Sequence, residues 1–217
     1  MLGILICYAS FHSFEPLQRA NIQRFVKCPH KVYILKTTPY GGGASHGHQL
    51  NLNTLLDQAW DECDSFLFFD NDMIFLSDFH EPEEDCWYCP QIRDNEYPWG
   101  KGIEYAWPNL FYFKKHHLLR QIWFEEGTDS GGSTWKYLKE THNKKQMFPD
   151  NENGFEEYRQ QIKLLGDKFN IGVWAELFLL NGCSIFHFRA MSNWANYPID
   201  YMSKKEMLIQ SHSLKYC

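Results

Sequence analysis

The chain has 217 residues, 44% hydrophobic and 22% charged, which supplies enough apolar material for one well-filled core and excludes an intrinsically disordered chain. Its 21 Lys and Arg against 27 Asp and Glu leave a net charge of −6, with no basic block to track a nucleic-acid backbone, so polynucleotide binding is disfavoured. No segment reaches membrane-spanning length, and seven scattered cysteines fit a reducing compartment better than a disulfide framework, so a soluble cytoplasmic protein without a membrane span is expected.

In chain order the pattern alternates strands and helices. Gly3 to Ala9 reads as a buried strand closed by Ser10, and Phe14 to Val26 as a helix with Pro16 tolerated in its first turn. Lys31 to Lys36 is a second strand, parallel to the first through a right-handed crossover. Thr37 to His48, with Gly41, Gly42 and Gly43, reads as a flexible loop, and it lacks the Lys-Ser/Thr ending of a P-loop. Leu50 to Trp60 is a helix that delivers the chain to a third strand, Ser65 to Asp70. Ser77 to Asp85 is acidic and turn-rich, and strands are predicted at Cys86 to Ile92 and Leu110 to Phe113. Between those strands, Arg93 to Pro108 carries Tyr97, Trp99, Tyr105 and Trp107 and reads as a long loop suited to contact an acceptor.

Leu118 to Glu125 and Thr134 to Glu140 look helical, and residues 141 to 170 form a polar excursion with one amphipathic stretch at Phe155 to Leu165. Glu176 to Leu180, Asn181-Gly182 and Cys183 to Phe188 predict a hairpin, because Asn-Gly supplies the positive φ angles of a type I′ turn. Met202 to Cys217 reads as a helix or as the stub of a longer chain. Cys86-Trp87-Tyr88-Cys89 has no second pair to complete a zinc site, and strand alternation accounts for it. Aromatic residues make 17% of the chain, and most belong in the core.

The chemistry concentrates at Asp70-Asn71-Asp72, set between Phe66 to Phe69 and Met73 to Leu76. An unpaired buried carboxylate is costly, so two within an apolar run call for a neutralising partner. In extended backbone, residues two apart face the same way, so both acids converge on one divalent cation at the end of a parallel strand, where open α/β sheets bind ligands. Oxygen ligands favour Mg²⁺ or Mn²⁺. A turn cap with Asp72 in water is the alternative.

This strand ending in Asp-x-Asp, preceded by a β-α-β unit and by His48 to Thr54, resembles the GT-A nucleotide-sugar glycosyltransferases. Ile185 to Trp194 is similar to the late His-containing motif of glycogenin-like and galactosyltransferase-like retaining members. The resemblance implies an α/β fold: a single GT-A (Rossmann-like) domain over residues 1–217, or a part of a longer chain, with a mostly parallel central sheet, an antiparallel hairpin and helices on both faces. It implies Asp70, Asp72 and His187 as metal ligands, with Mn²⁺ or Mg²⁺ as cofactor. Asn71 lies within the motif and Asn51 on the helix before it. Tyr8, Ala9 and Ser10 would meet base and ribose.

The late motif departs from the family pattern: the expected Gly is Ala190, Trp194 comes one residue early, and polar residues stand at the Lys position. Arg189 is the candidate replacement cation, with Ser192 and Asn193 as phosphate donors. Thr128 to Gly132 resembles the acidic motif beside the transferred sugar, which makes Asp129 a sugar contact or a base; an N-cap explains it equally. The compact length and early first strand also resemble chlorella-virus glycosyltransferases, which implies the host cytoplasm as location and UDP-linked glucose or rhamnose as donor.

The expected function is transfer from a UDP-sugar donor to a glycan or glycoprotein hydroxyl, with retention. The rivals are a metal-dependent phosphoesterase and a non-catalytic sugar-nucleotide or glycan-binding module.

Overall fold

The computed structural model describes residues 1–8, 14–37, 44–93, 102–122, 131–149, 160, 163–164, 167–168, 176–188, 203–204, 207–208, 210–211 and 213–214. Strand β1 (Leu2–Tyr8) leads to helix α1 (Glu15–Phe25), strand β2 (His30–Lys36), helix α2 (Ala44–Ala59), strand β3 (Ser65–Phe69) and the short strand β4 (Met73–Phe75). After these come β5 (Cys86–Arg93), β6 (Ile103–Lys114), α3 (His117–Ile122), α4 (Trp135–Glu140), β7 (Lys144–Gln146), β8 (Glu176–Leu180) and β9 (Cys183–His187).

The fold is mixed α/β, as expected. A six-stranded sheet runs β2-β1-β3-β6-β5-β7, in which β1 pairs in parallel with β2 and β3 while β6 runs against its neighbours β3 and β5. The hairpin β8–β9 does not extend this sheet. It joins β4 in a separate antiparallel sheet of order β4-β9-β8, because the chain leaves β3 through a turn and β4 offers β9 an unpaired edge.

Both faces of the large sheet are covered, which is why β1 and β3 read as continuous apolar runs. Period-2 alternation sorts their side chains: Leu5, Cys7, Phe66 and Phe68 pack towards α2 and α4, whereas Ile4, Ile6, Leu67 and Phe69 pack towards α1 and the small sheet. Phe66 stacks on Trp60 and Phe69 on Phe75, with ring centroids 5.5 and 4.5 Å apart. Cys86 and Cys89 fall in opposite packing clusters and are both free thiols.

Two expectations change. Helix α2 starts at Ala44, within the expected loop, because its polar first turns show no apolar spacing although they are helical. Residues 103–108 are not loop but strand, so Tyr105 and Trp107 belong to β6. Of the two prolines in the expected loop, Pro108 lies on β6 where the β5–β6 ladder changes register, between Ala106 and Phe111, and a proline is tolerated at such an irregularity; Pro98 lies outside the described residues. Strand β7, which sequence patterning missed, is a short polar edge strand against β5.

Candidate functional site

Asp70, Asn71 and Asp72 form the turn between β3 and β4. The turn is closed by the Met73 amide donating to the Asp70 carbonyl at 3.2 Å. The two acids therefore approach through a turn and not through extended backbone, and they lie at the edge where β1 and β3 end. Neighbouring elements hold the turn: the Asp70 amide donates to the Asn109 carbonyl and the Phe188 amide to the Asp72 carbonyl, each at 2.9 Å. From α1, the Gln18 amide group donates to the carbonyls of Asp70 and Met73 at 2.8 and 2.9 Å, while its oxygen accepts from the Tyr8 hydroxyl. Asn21, one helical turn further, brackets Phe75 with a reciprocal pair of bonds at 2.8 and 2.9 Å. Gln18 and Asn21 are fully buried, and they spend their polar groups on this strand–turn–strand unit.

His187 arrives from the hairpin. Antiparallel pairing sets it beside Met73 on β4 and opposite Glu176 on β8. Its Nε2 lies 3.3 Å from Asp72 Oδ1 and its Nδ1 3.1 Å from Glu176 Oε2. The Trp107 ring meets the imidazole edge-on, with centroids 5.3 Å apart. Asp70, Asp72 and His187 are buried, at 7%, 2% and 2% exposure, and ligand atoms from the three lie within 4.8 Å of one another.

The electrostatics follow from packing like charges out of water. Burial, and then the charge of Asp72, lift the Asp70 carboxyl to about 7, against the opposing pull of His187 and the Asn71 amide. Burial alone would lower His187, but Asp72 and Glu176 outweigh it and hold the imidazolium up to about 10.

The residues fit a divalent cation. Asp70 Oδ2 is buried with no hydrogen-bond partner among the described residues, a costly condition that a coordinated ion would relieve. Ligand atoms that already lie within 4.8 Å of one another could close on one divalent ion through small side-chain shifts. Two carboxylates and one imidazole suit Mg²⁺ or Mn²⁺.

Of the other residues singled out from sequence, Asn51 donates from α2 to Thr37 Oγ1 at 3.3 Å, which ties α2 to the strand-end edge of the sheet. Tyr8 is at that edge too, but its side chain is fully buried and its hydroxyl donates to Gln18, so it supports the turn from within. Ala9, Ser10, Trp99, Asp129, Arg189, Ser192, Asn193 and Trp194 lie outside the described residues. Two positions after Asp129 in the sequence, Gly131 has φ +86°, and a Cβ there would sit 2.3 Å from the Ala106 carbonyl oxygen, so glycine lets the chain at 131 close against β6.

Sequence reasoning missed Glu176 and Gln18. Glu176 was within reach: counting outwards from a two-residue Asn181-Gly182 turn pairs residue 176 with residue 187. Both turn residues do have positive φ, 51° and 81°. Gln18 left only a faint signal, a polar residue three positions before Asn21 on the inner side of a helix.

The fold and site together define a mixed α/β protein with a candidate divalent-metal centre at its strand ends. No protein-family model matches the chain, and no curated protein matches it at a significant level. Among solved structures, it is similar to a glycosyltransferase involved in the glycosylation of the major capsid of PBCV-1, at 13% identity over 66% of this chain and 79% of that one, with TM-score 0.38. A197 from STIV is 12% identical over 64% and 76%, with TM-score 0.33. The glycosyltransferase GlyE of Streptococcus pneumoniae TIGR4 is 11% identical over 99% and 64%, with TM-score 0.39. Likeness at these scores carries no argument, and the functional reading stands on the site itself.

Proposed function

We propose that the chain is a metal-dependent glycosyltransferase that takes a nucleoside diphosphate sugar, UDP-linked, as donor. The observation that carries this reading is the buried Asp70–Asp72–His187 cluster at the edge where parallel strands end, with Asp70 Oδ2 lacking a hydrogen-bond partner among the described residues. A Mn²⁺ or Mg²⁺ ion held there would act as a Lewis acid on the departing diphosphate, a contribution of several kcal/mol. The chain's own residues do the rest. Asp70 and Asp72 supply negative oxygens on a turn that α1, β6 and β9 keep rigid, and His187 completes the set from the second sheet.

Ala9 and Ser10, which follow β1, are assigned to base and ribose, and Asn51 supports the same edge. Arg189 is assigned to supply positive charge for the diphosphate, and Ser192, Asn193 and Trp194 to contact the donor. Trp107 borders the cluster, and it is assigned with Trp99 to contact the glycan acceptor. Retention requires no dedicated base; inversion would assign that role to Asp129.

Purified protein should release UDP from a UDP-sugar panel in the presence of Mn²⁺, and Asp72→Asn should remove that turnover while the protein stays folded. Turnover of simple phosphoesters without UDP release would replace this reading with the phosphoesterase. Donor binding without transfer or hydrolysis across acceptors would replace it with the binding module.

A further inference from the structure

We propose that Glu176 is the positioning residue for His187: it accepts the Nδ1 proton and so turns Nε2 towards the Asp70–Asp72 turn. This rests on the metal-centre reading above. A carboxylate only accepts hydrogen bonds, so the Nδ1···Glu176 Oε2 contact at 3.1 Å requires the proton to be on Nδ1, which leaves Nε2 as the ligand atom. Nε2 is the nitrogen that faces Asp72, at 3.3 Å. Glu176 is not in the ligand cluster, so its effect on an ion passes through the ring.

The hairpin register enforces this contact. Glu176 and His187 are directly opposed on β8 and β9, and Trp107 closes one side of the imidazole. Ligating histidines commonly hand their second N–H to a carboxylate, and loss of that partner costs about 10–100-fold in metal affinity.

The experiment uses the whole chain and compares wild type, Glu176→Gln and Glu176→Leu. Mn²⁺ titration by calorimetry should show about 10–100-fold weaker binding in Glu176→Leu, and a smaller loss in Glu176→Gln, whose amide oxygen still accepts. Co²⁺ gives a second readout. The loaded wild type should show one ion-shifted, solvent-exchangeable imidazole N–H resonance in its proton spectrum; that resonance should exchange faster in Glu176→Gln and vanish in Glu176→Leu. A folded Glu176→Leu protein that matches wild type in affinity would overturn the proposal. If Glu176→Leu does not fold, unchanged affinity and exchange in Glu176→Gln overturn it equally. Wild type that takes up no Mn²⁺ would overturn the metal-centre reading with it, whereas binding by wild type and all variants alike would sink the role of Glu176 alone.

Discussion

Burial acts in opposite directions on Asp70 and His187, yet both end above their ordinary values, at about 7 and about 10 against 3.8 and 6.5. A group raised in the folded state contributes stability that is complete below its unfolded value and is lost as pH rises through its folded value. The ion-free protein should therefore lose stability as pH rises, first through about 7 and again through about 10. Ion binding has the reverse dependence, because a cation competes with both protons. Mn²⁺ affinity should rise steadily from pH 6 to pH 9, and calorimetry in buffers of different ionisation enthalpy should record roughly one proton released per ion at pH 8, chiefly from His187. A flat affinity over that range would contradict the assignment of His187 as ligand.

At the scale of elements, the joint between α1 and the β3–β4 turn decides how rigid the acids are. Gln18→Leu preserves side-chain size but removes the acceptor of the Tyr8 hydroxyl and the donor to two buried carbonyls. The Asp70 carbonyl keeps its bond from the Met73 amide, so at about 1–3 kcal/mol for each of the other two groups a loss of at least ~2 kcal/mol is expected in urea denaturation, together with weaker Mn²⁺ binding. Wild-type stability in this variant would show that the clamp contributes nothing. Strand β3, the acids after it and the Asn181-Gly182 hairpin were legible in the sequence because each depends on local chemistry: an apolar run, a charge where none is cheap, a turn with positive φ. The reason the acids meet was not legible, since it lies in a turn held by residues of α1, β6 and β9. The first half of strand β6 was hidden for a related cause, as the stretch up to Pro108 reads locally as loop while pairing of Ile103 to Ala106 with β5 makes it strand.

For the whole molecule, the site draws on two separate sheets. The acids follow β3 of the large sheet, and His187 comes from β9 of the small one. A bound ion would therefore add a link between two sheets that already share one packing cluster and the Phe188–Asp72 backbone bond, and local opening of either would cost more. Hydrogen exchange of the β8–β9 amides should slow on addition of Mn²⁺ in wild type and stay unchanged in His187→Ala; equal protection in both would break the link between sheets. The span in sequence matters for biogenesis. During translation the two acids leave the ribosome some 115 residues ahead of the imidazole that joins them. At about 5–20 residues per second, that is about 6–23 seconds in which the acid pair is without its third member. Metal loading of the three-residue site would thus be a late event in the maturation of the polypeptide, open only once the hairpin has docked.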